Sequence, residues 1–333
     1  MKIAVFSAQP YDRRFLDAEC RKSGGFEIIY FTEALSRQST MLAQGCEAVC
    51  VFVNDVLDAP VLEALAQLGV RAVLLRCAGF NNLDTAAAAR LGLFVARVPA
   101  YSPQAVAEHT LALILTLNRN THRAHARIRE GNFALDGLLG SNLHGKTVGV
   151  VGLGKIGMAA VRIFNGFGCT VLGCDPAPPP AFAAMGTLAP VATLLAQADI
   201  VSLHCPLMES THHMIDARAL SAMKPGAMLV NTSRGALIDT CAVIDALKSR
   251  QLGALAIDVY EQESELFFHD HSAEIIGDDV FQRLLTFPNV LVTGHQGFFT
   301  VEAMREIAQV TFGNLACHVN ATACANAVPG TEI

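Results

Sequence analysis

Three polar residues stand just beyond apolar, β-branched runs in the second half of this sequence. Arg234 follows LVNTS, Glu263 closes AIDVYEQE and His295 follows VLVTG. Ligands of open α/β sheets bind at the carboxyl ends of strands, which is where such residues would lie. A cation, a carboxylate and an imidazole gathered there suit the reduction of a carbonyl. The cation would hold a substrate carboxylate bidentately and polarise the neighbouring C=O. The imidazolium would give its proton to the oxygen as hydride reaches the carbon. The carboxylate would hold the imidazole and favour its protonated form. Taken singly, each residue has a plainer reading: Arg234 as a helix cap or phosphate contact, Glu263 as surface charge, His295 as a turn residue. The residues alone leave that choice open.

A hydride source is legible in residues 146–175, KTVGVVGLGKIGMAAVRIFNGFGCTVLGCD. Residues 147–151 read as a buried parallel strand, 156–167 carry apolar residues at helical intervals, and 169–174 read as a second strand. Between the first strand and the helix, Gly152, Gly154 and Gly157 have G-x-G-x-x-G spacing, and Asp175 ends the second strand. Glycines alone mark many turns, but this strand–turn–helix–strand–acid context specifies a dinucleotide site. Gly152 would allow the tight turn, Gly154 the approach of a pyrophosphate, and Gly157 close helix–strand packing. The helix N-terminus would supply N–H groups to the phosphates. Asp175 would accept hydrogen bonds from the adenosine ribose, and with no Arg beside it in sequence it favours NAD over NADP.

The remaining elements must hold these residues in place. Strands are expected at residues 2–7, 27–31, 48–53, 73–76 and 93–98, with helices over 12–22, 61–67 and 84–91 between them. Strands at 200–204, 227–231, 254–259 and 290–293 continue the second half. Such alternation predicts α/β parallel sheets. Ser102 and Pro103 open a long helix that runs to Arg119, and residues 119–144 read as a polar, irregular arm, either solvated or a subunit contact. Residues 261–283 read as an irregular acidic insertion. A final helix over 301–318 is expected to return to the first domain, making it discontinuous. The domains expected are residues 1–100 with 300–333, and residues 101–299, joined by a hinge with a cleft.

A length of 333 residues suits two domains, and 52% hydrophobic with 16% charged residues suits a globular chain. A net charge of −6 without a basic block gives nucleic-acid binding no support. No apolar run reaches the roughly 18 residues of a membrane span, and no secretory signal is expected before the first strand. The ten cysteines form no C-x-x-C, so buried free thiols in a reducing cytoplasm are expected. No Cys/His set has metal-ligand spacing, and no metal is expected. His109, His212, His213, His269 and His271 read as packed or surface residues.

Nearly end to end, the sequence resembles the D-isomer-specific 2-hydroxyacid dehydrogenases, and within them the D-lactate branch. The resemblance rests on LRCAGFNNLD (75–84), VPAYSPQAVAEHTLALILTLNR (98–119), GKTVGVVGLGKIG (145–157), HCPL (204–207), NTSRGALID (231–239), DVYEQE (258–263) and GHQGFF (294–299). It implies two doubly wound α/β domains, a Rossmann NAD-binding domain inserted into a flavodoxin-like substrate domain. It implies reversible NADH-dependent reduction of a 2-keto acid, foremost pyruvate to D-lactate, by a homodimer or homotetramer. Arg234 would bind and polarise the substrate, Glu263 assist the histidine and His295 donate the proton. Lys155 and Ile156 would lie over the pyrophosphate, Cys205, Pro206 and Thr211 on the adenine side, and Thr232, Ser233 and Asp258 near the nicotinamide. Backbone N–H groups of Ala78 and Gly79 would hold the carboxylate, with Tyr101 and Phe298 around the substrate side chain. Two positions depart from the family pattern: Thr211 stands where Asn is common, and Leu153 where Thr is frequent. Glyoxylate/hydroxypyruvate reductases and non-catalytic NAD-sensing scaffolds share the fold and trio. A phosphoglycerate type would be expected to carry a further regulatory domain.

Overall fold

The computed structural model describes residues 1–332, apart from the side chain of Glu265. The chain divides into two units, Met1–Ser102 with Phe299–Ile333, and Pro103–Phe298.

The first unit runs β1 (Lys2–Val5), α1 (Pro10–Ser23), β2 (Glu27–Tyr30), β3 (Ala48–Val51), α2 (Ala59–Gln67), β4 (Ala72–Leu75), α3 (Thr85–Arg90) and β5 (Phe94–Arg97). Its five strands are parallel in the order β2-β1-β3-β4-β5, the 2-1-3-4-5 order of a flavodoxin-like sheet. Every residue of β3 and β4 is buried, because helices cover both faces of the sheet. One face packs Leu62, Leu65 and Leu75, the other Phe94, Phe312 and Leu315.

The second unit opens with α4 (Pro103–Arg119) and α5 (Thr121–Arg129). It continues as β6 (Thr147–Val151), α6 (Lys155–Gly166), β7 (Thr170–Cys174), β8 (Thr187–Leu188), α7 (Val191–Gln197), β9 (Ile200–Leu203) and α8 (Ala217–Ala222). Then come β10 (Ala227–Asn231), α9 (Thr240–Lys248), β11 (Leu252–Ile257), α10 (Asp279–Leu285) and β12 (Val290–Val292). The order β12-β11-β10-β9-β6-β7-β8 is the 3-2-1-4-5-6 Rossmann order extended by one strand. Its switch point falls between β6 and β9, which pair through Val148 to Val151. Finally α11 (Val301–Val319), capped by the Thr300 side chain, packs on β4, β5 and α1 of the first unit.

The fold class agrees with the sequence reading, and three details differ. Within the arm, residues 121–129 form α5, a helix that buries no residue; Asn120 in the left-handed region separates it from α4. The insertion after residue 261 includes a 3-10 turn at Glu263–Glu265 and ends in α10, which buries Phe281 and Leu284. All ten cysteines are free thiols, but only five are buried and Cys241 is exposed. Among the described residues no helix is long and apolar enough to cross a membrane.

Candidate active site

The glycine turn sits at the switch point of the second sheet. Gly152 adopts φ +93°, and a Cβ there would meet the Cys205 nitrogen at 2.6 Å. A Cβ on Gly157 would fall on the Gly152 carbonyl. Around Gly154 the space is open, and it precedes α6 with no side chain capping the helix and no acid in the first turn. Such a turn leaves helix N–H groups for an anion. Lys155 and Ile156 are the first residues of α6. Asp175 accepts from the Leu153 N–H at 2.6 Å and the Ala177 N–H at 2.8 Å, which fastens the acid to the glycine turn. Leu153, Gly154, Lys155, Asp175 and Ala177 line an open groove of about 740 Å³ with Pro103, Met158, Arg162 and Pro179. The close turn, the open helix end and the anchored acid together fit a dinucleotide. Arg162 is the surprise: it shares a groove with Asp175 although no Arg adjoins the acid in sequence.

Beneath the turn, His204 shares a 2.9 Å hydrogen bond with Ser202 through Nε2. The residue as a whole is half-buried, but its Nδ1 is enclosed without a partner among the described residues, and burial pushes the imidazole down to about 4. Burial likewise pushes the Cys205 thiol up to about 11. Pro206 accepts a 2.8 Å hydrogen bond from the Thr211 hydroxyl, which also accepts from the Met208 N–H. Thr211 therefore spends its hydroxyl on its own turn. Ser233 Oγ donates to the Cys205 carbonyl at 2.6 Å, and Thr232 Oγ1 lies 2.8 Å from Thr110 Oγ1.

The structure brings Glu263 and His295 together. His295 Nδ1 and Glu263 Oε1 are 2.8 Å apart, and Glu263 Oε2 accepts the Tyr260 N–H at 2.9 Å. Both side chains keep about a fifth of their surface, 20% and 21%. His295 adopts φ +50°, and its N–H donates to the Asp258 carbonyl at 2.7 Å. A left-handed conformation at a non-glycine residue is uncommon and persists only where its surroundings fix it. His295 Nε2 has no hydrogen-bond partner among the described residues, which leaves it for a ligand. Arg234 sits in a turn shaped by Asn231, whose side chain donates to the Arg234 carbonyl and accepts the Ser233 N–H. Arg234 makes no ion pair among the described residues, and one guanidinium nitrogen donates to the Ser233 carbonyl.

Asp258 organises the histidine loop from below. Its Oδ1 accepts from Thr293 Oγ1 at 2.5 Å and the Gln296 N–H at 2.9 Å; its Oδ2 accepts the Gly297 N–H at 2.8 Å. His109 Nε2 reaches from α4 to within 3.2 Å of Oδ1 and 3.1 Å of Thr293 Oγ1. Burial alone would raise the Asp258 carboxyl, but hydrogen bonds from His109, Thr293 and Gly297 outweigh it and hold the group below the carboxylate range. From sequence His109 reads as a packed or capping histidine; the structure gives it Asp258 and Thr293 as partners. Its helix spacing to buried Ala105, Val106 and Leu113 was the available signal, a polar group on an apolar face.

Ala78, Gly79 and Tyr101 belong to the first unit. Ala78 and Gly79 follow β4; Arg97 donates to the Ala78 carbonyl at 2.6 Å, and the Cys77 thiol to that of Gly79 at 3.3 Å. Tyr101 lies half-buried in the bend before α4. Phe298 is buried in the second unit.

Residues 111–297 match the family model "D-isomer specific 2-hydroxyacid dehydrogenase, NAD binding domain". The chain is 59% identical to 2-hydroxyacid dehydrogenase A of Aspergillus oryzae over 98% of its own length and 95% of that protein. It is 50% identical to D-lactate dehydrogenase of Escherichia coli, covering 98% and 99%. The pyruvate reductase of Chlamydomonas reinhardtii superposes with a TM-score of 0.94 at 43% identity, covering 98% of each chain. With a glycine turn and acid that fit a dinucleotide and a family match across most of the second unit, this chain belongs to the NAD-dependent D-isomer specific 2-hydroxyacid dehydrogenases.

Proposed function

We propose that this chain is a D-lactate dehydrogenase that reduces pyruvate to D-lactate with NADH, reversibly. The observation that carries the chemistry is the 2.8 Å pair of His295 Nδ1 with Glu263, which leaves Nε2 open. The substrate follows the names of relatives, the E. coli D-lactate dehydrogenase and the Chlamydomonas pyruvate reductase. When bound, NADH would supply the hydride that the carbonyl carbon takes up. Arg234 pairs with the substrate carboxylate and draws electron density from the carbonyl. His295 Nε2 donates the proton that the new hydroxyl requires, and Glu263 holds the ring and stabilises its cationic form. Lys155 and Ile156 would hold the pyrophosphate, Asp175 the ribose, Cys205, Pro206 and Thr211 the adenine side, and Thr232, Ser233 and Asp258 the nicotinamide side. The Ala78 and Gly79 N–H groups and Tyr101 of the first unit, read as the substrate domain, and Phe298 of the second unit are proposed as the substrate contacts.

A homo-oligomer is also proposed. Ile128, Phe133, Leu135 and Leu139 of the arm are 53%, 74%, 81% and 95% exposed, more apolar surface than a solitary arm needs. Light scattering of the purified protein tests this, and a monomer at working concentration removes it. Cytoplasmic residence is proposed from the ten free thiols. The activity is tested by NADH oxidation across 2-keto acids. Pyruvate should give the highest kcat/KM; a preference for hydroxypyruvate, glyoxylate or phenylpyruvate would replace the substrate, and no turnover with any of them would remove the enzyme reading.

A further inference from the structure

A second cluster of ligand-type side chains lies outside the machinery described above. One ring nitrogen from each of His212 and His213 and one carboxylate oxygen of Glu261 lie within 4.8 Å of one another. His213 Nε2 is 2.7 Å from Glu261 Oε1, 48 residues along the chain. The two imidazoles are stacked with centroids 4.0 Å apart. Consecutive residues do not stack their rings in ordinary helix or strand backbone, where neighbours point apart. Here His213 adopts φ +48°, and its N–H is tied to the Ala236 carbonyl at 2.8 Å. A parallel bridge between Ile215 and Ile238 continues that attachment. On the other side, Gly235 lies so close to the Tyr260–Glu261 peptide that a Cβ there would meet it. The backbone thus brings both histidines and the glutamate to one place, and the stacked rings separate as their nitrogens turn to a shared ligand.

We infer that His212, His213 and Glu261 form a binding site for a divalent transition-metal ion such as Zn²⁺, Co²⁺ or Ni²⁺. Two imidazoles and a carboxylate are a borderline donor set that suits these ions, whereas Mg²⁺ and Ca²⁺ take oxygen ligands. Water would complete the coordination. Ligands about 2.0–2.1 Å from a tetrahedral ion stand about 3.3 Å apart, so the widest pair draws in and the His213–Glu261 pair opens slightly. If His213 holds its proton on Nε2, that proton moves to Nδ1 as the metal takes Nε2, with no net change in charge on the ring. The ion would bridge the segment of His212 and His213 to the loop that carries Glu263, bracing it from outside. Sequence spacing does not announce the site, because only the fold brings Glu261 to the adjacent histidines.

The test uses the purified full-length protein with Co²⁺ followed by its visible d–d absorption, Zn²⁺ followed by calorimetry, and Mg²⁺ as control. The parent should bind one Co²⁺ or Zn²⁺ per chain, ignore Mg²⁺, and gain a few degrees in melting temperature at about a hundredfold excess over Kd. His212→Asn and Glu261→Gln, both at exposed positions, should each weaken binding at least about tenfold, since even outer-shell losses cost 10–100-fold. His271→Asn, which removes the separate His271–Glu274 pair, should bind as the parent does. Circular dichroism of each variant confirms folding. Parent-like affinity in both His212→Asn and Glu261→Gln, loss of binding in His271→Asn, a sulfur-to-cobalt charge-transfer band or no stoichiometric binding would each overturn the inference.

Discussion

The first strand–helix turns of the two units share a layout and differ in what fills them. In the second unit, the turn from β6 to α6 is open at Gly154, and α6 has no acid in its first turn. In the first unit, the turn from β1 to α1 is closed by its own side chains. Asp12 accepts the Gln9 N–H at the start of α1 and lies 3.5 Å from the guanidinium of buried Arg76. Arg76 also donates to the Ser7 carbonyl, while Ser7 Oγ donates to Asp55 at 2.7 Å. Asp55 further accepts the Leu35 and Phe52 N–H groups, and burial still pushes its carboxyl up. An α/β turn is therefore an anion site only when the chain leaves it vacant. The first turn stabilises its own unit; the second reserves its donors for a ligand.

That contrast can be broken most sharply at His295. His295→Gln should cut kcat by on the order of 10²–10⁴-fold if its open Nε2 is the proton donor, while the melting temperature stays near the parent's. Glu263→Gln should also lower kcat, by a smaller factor, because the amide holds the His295 ring without the charge-assisted bond that the 2.8 Å pair provides. A kcat equal to the parent's would detach Glu263 from that role. Next in size, Arg76→Met should cost about 3–5 kcal/mol of stability, since it leaves the buried Asp12 carboxylate without its cation. NADH affinity, measured by fluorescence titration on the folded variant, should be unchanged; a lost cofactor site would mean the closed turn is not merely structural.

The floor of the open turn carries a pH dependence. Folded His204 stays neutral down to about 4, whereas an unfolded histidine takes up a proton near 6.5. The unfolded chain binds more protons between those values, so stability falls as pH drops through that window, by about 3 kcal/mol in all. Denaturant melts at several pH values should show His204→Asn losing less stability over that range than the parent. The smallest effect concerns cofactor choice. Asp175→Ser should relax the preference for NADH over NADPH, and adding Arg162→Ala should restore part of it, each step worth about 1–2 kcal/mol. Ratios of kcat/KM for the two cofactors decide this, and an Arg162 substitution without effect in the Asp175→Ser background removes Arg162 from the groove's chemistry.

Some of this molecule was legible without coordinates. The glycine spacing, the acid after β7 and the strand–helix alternation are local features, each fixed by a few neighbouring residues and the backbone they allow. Arg234, Glu263 and His295 could be named because strand ends are readable from hydrophobic runs. The arm was harder: α5 buries nothing, so no apolar period marks it. Tertiary structure alone decided which polar groups meet. The 32-residue separation of Glu263 from His295, the 184-residue separation of His109 from Thr293 and the 48-residue separation of His213 from Glu261 close only when the strands align. Sequence fixes where a side chain stands along its own element. Which groups then share a proton depends on strand order and loop path, and those are settled by packing across the whole sheet.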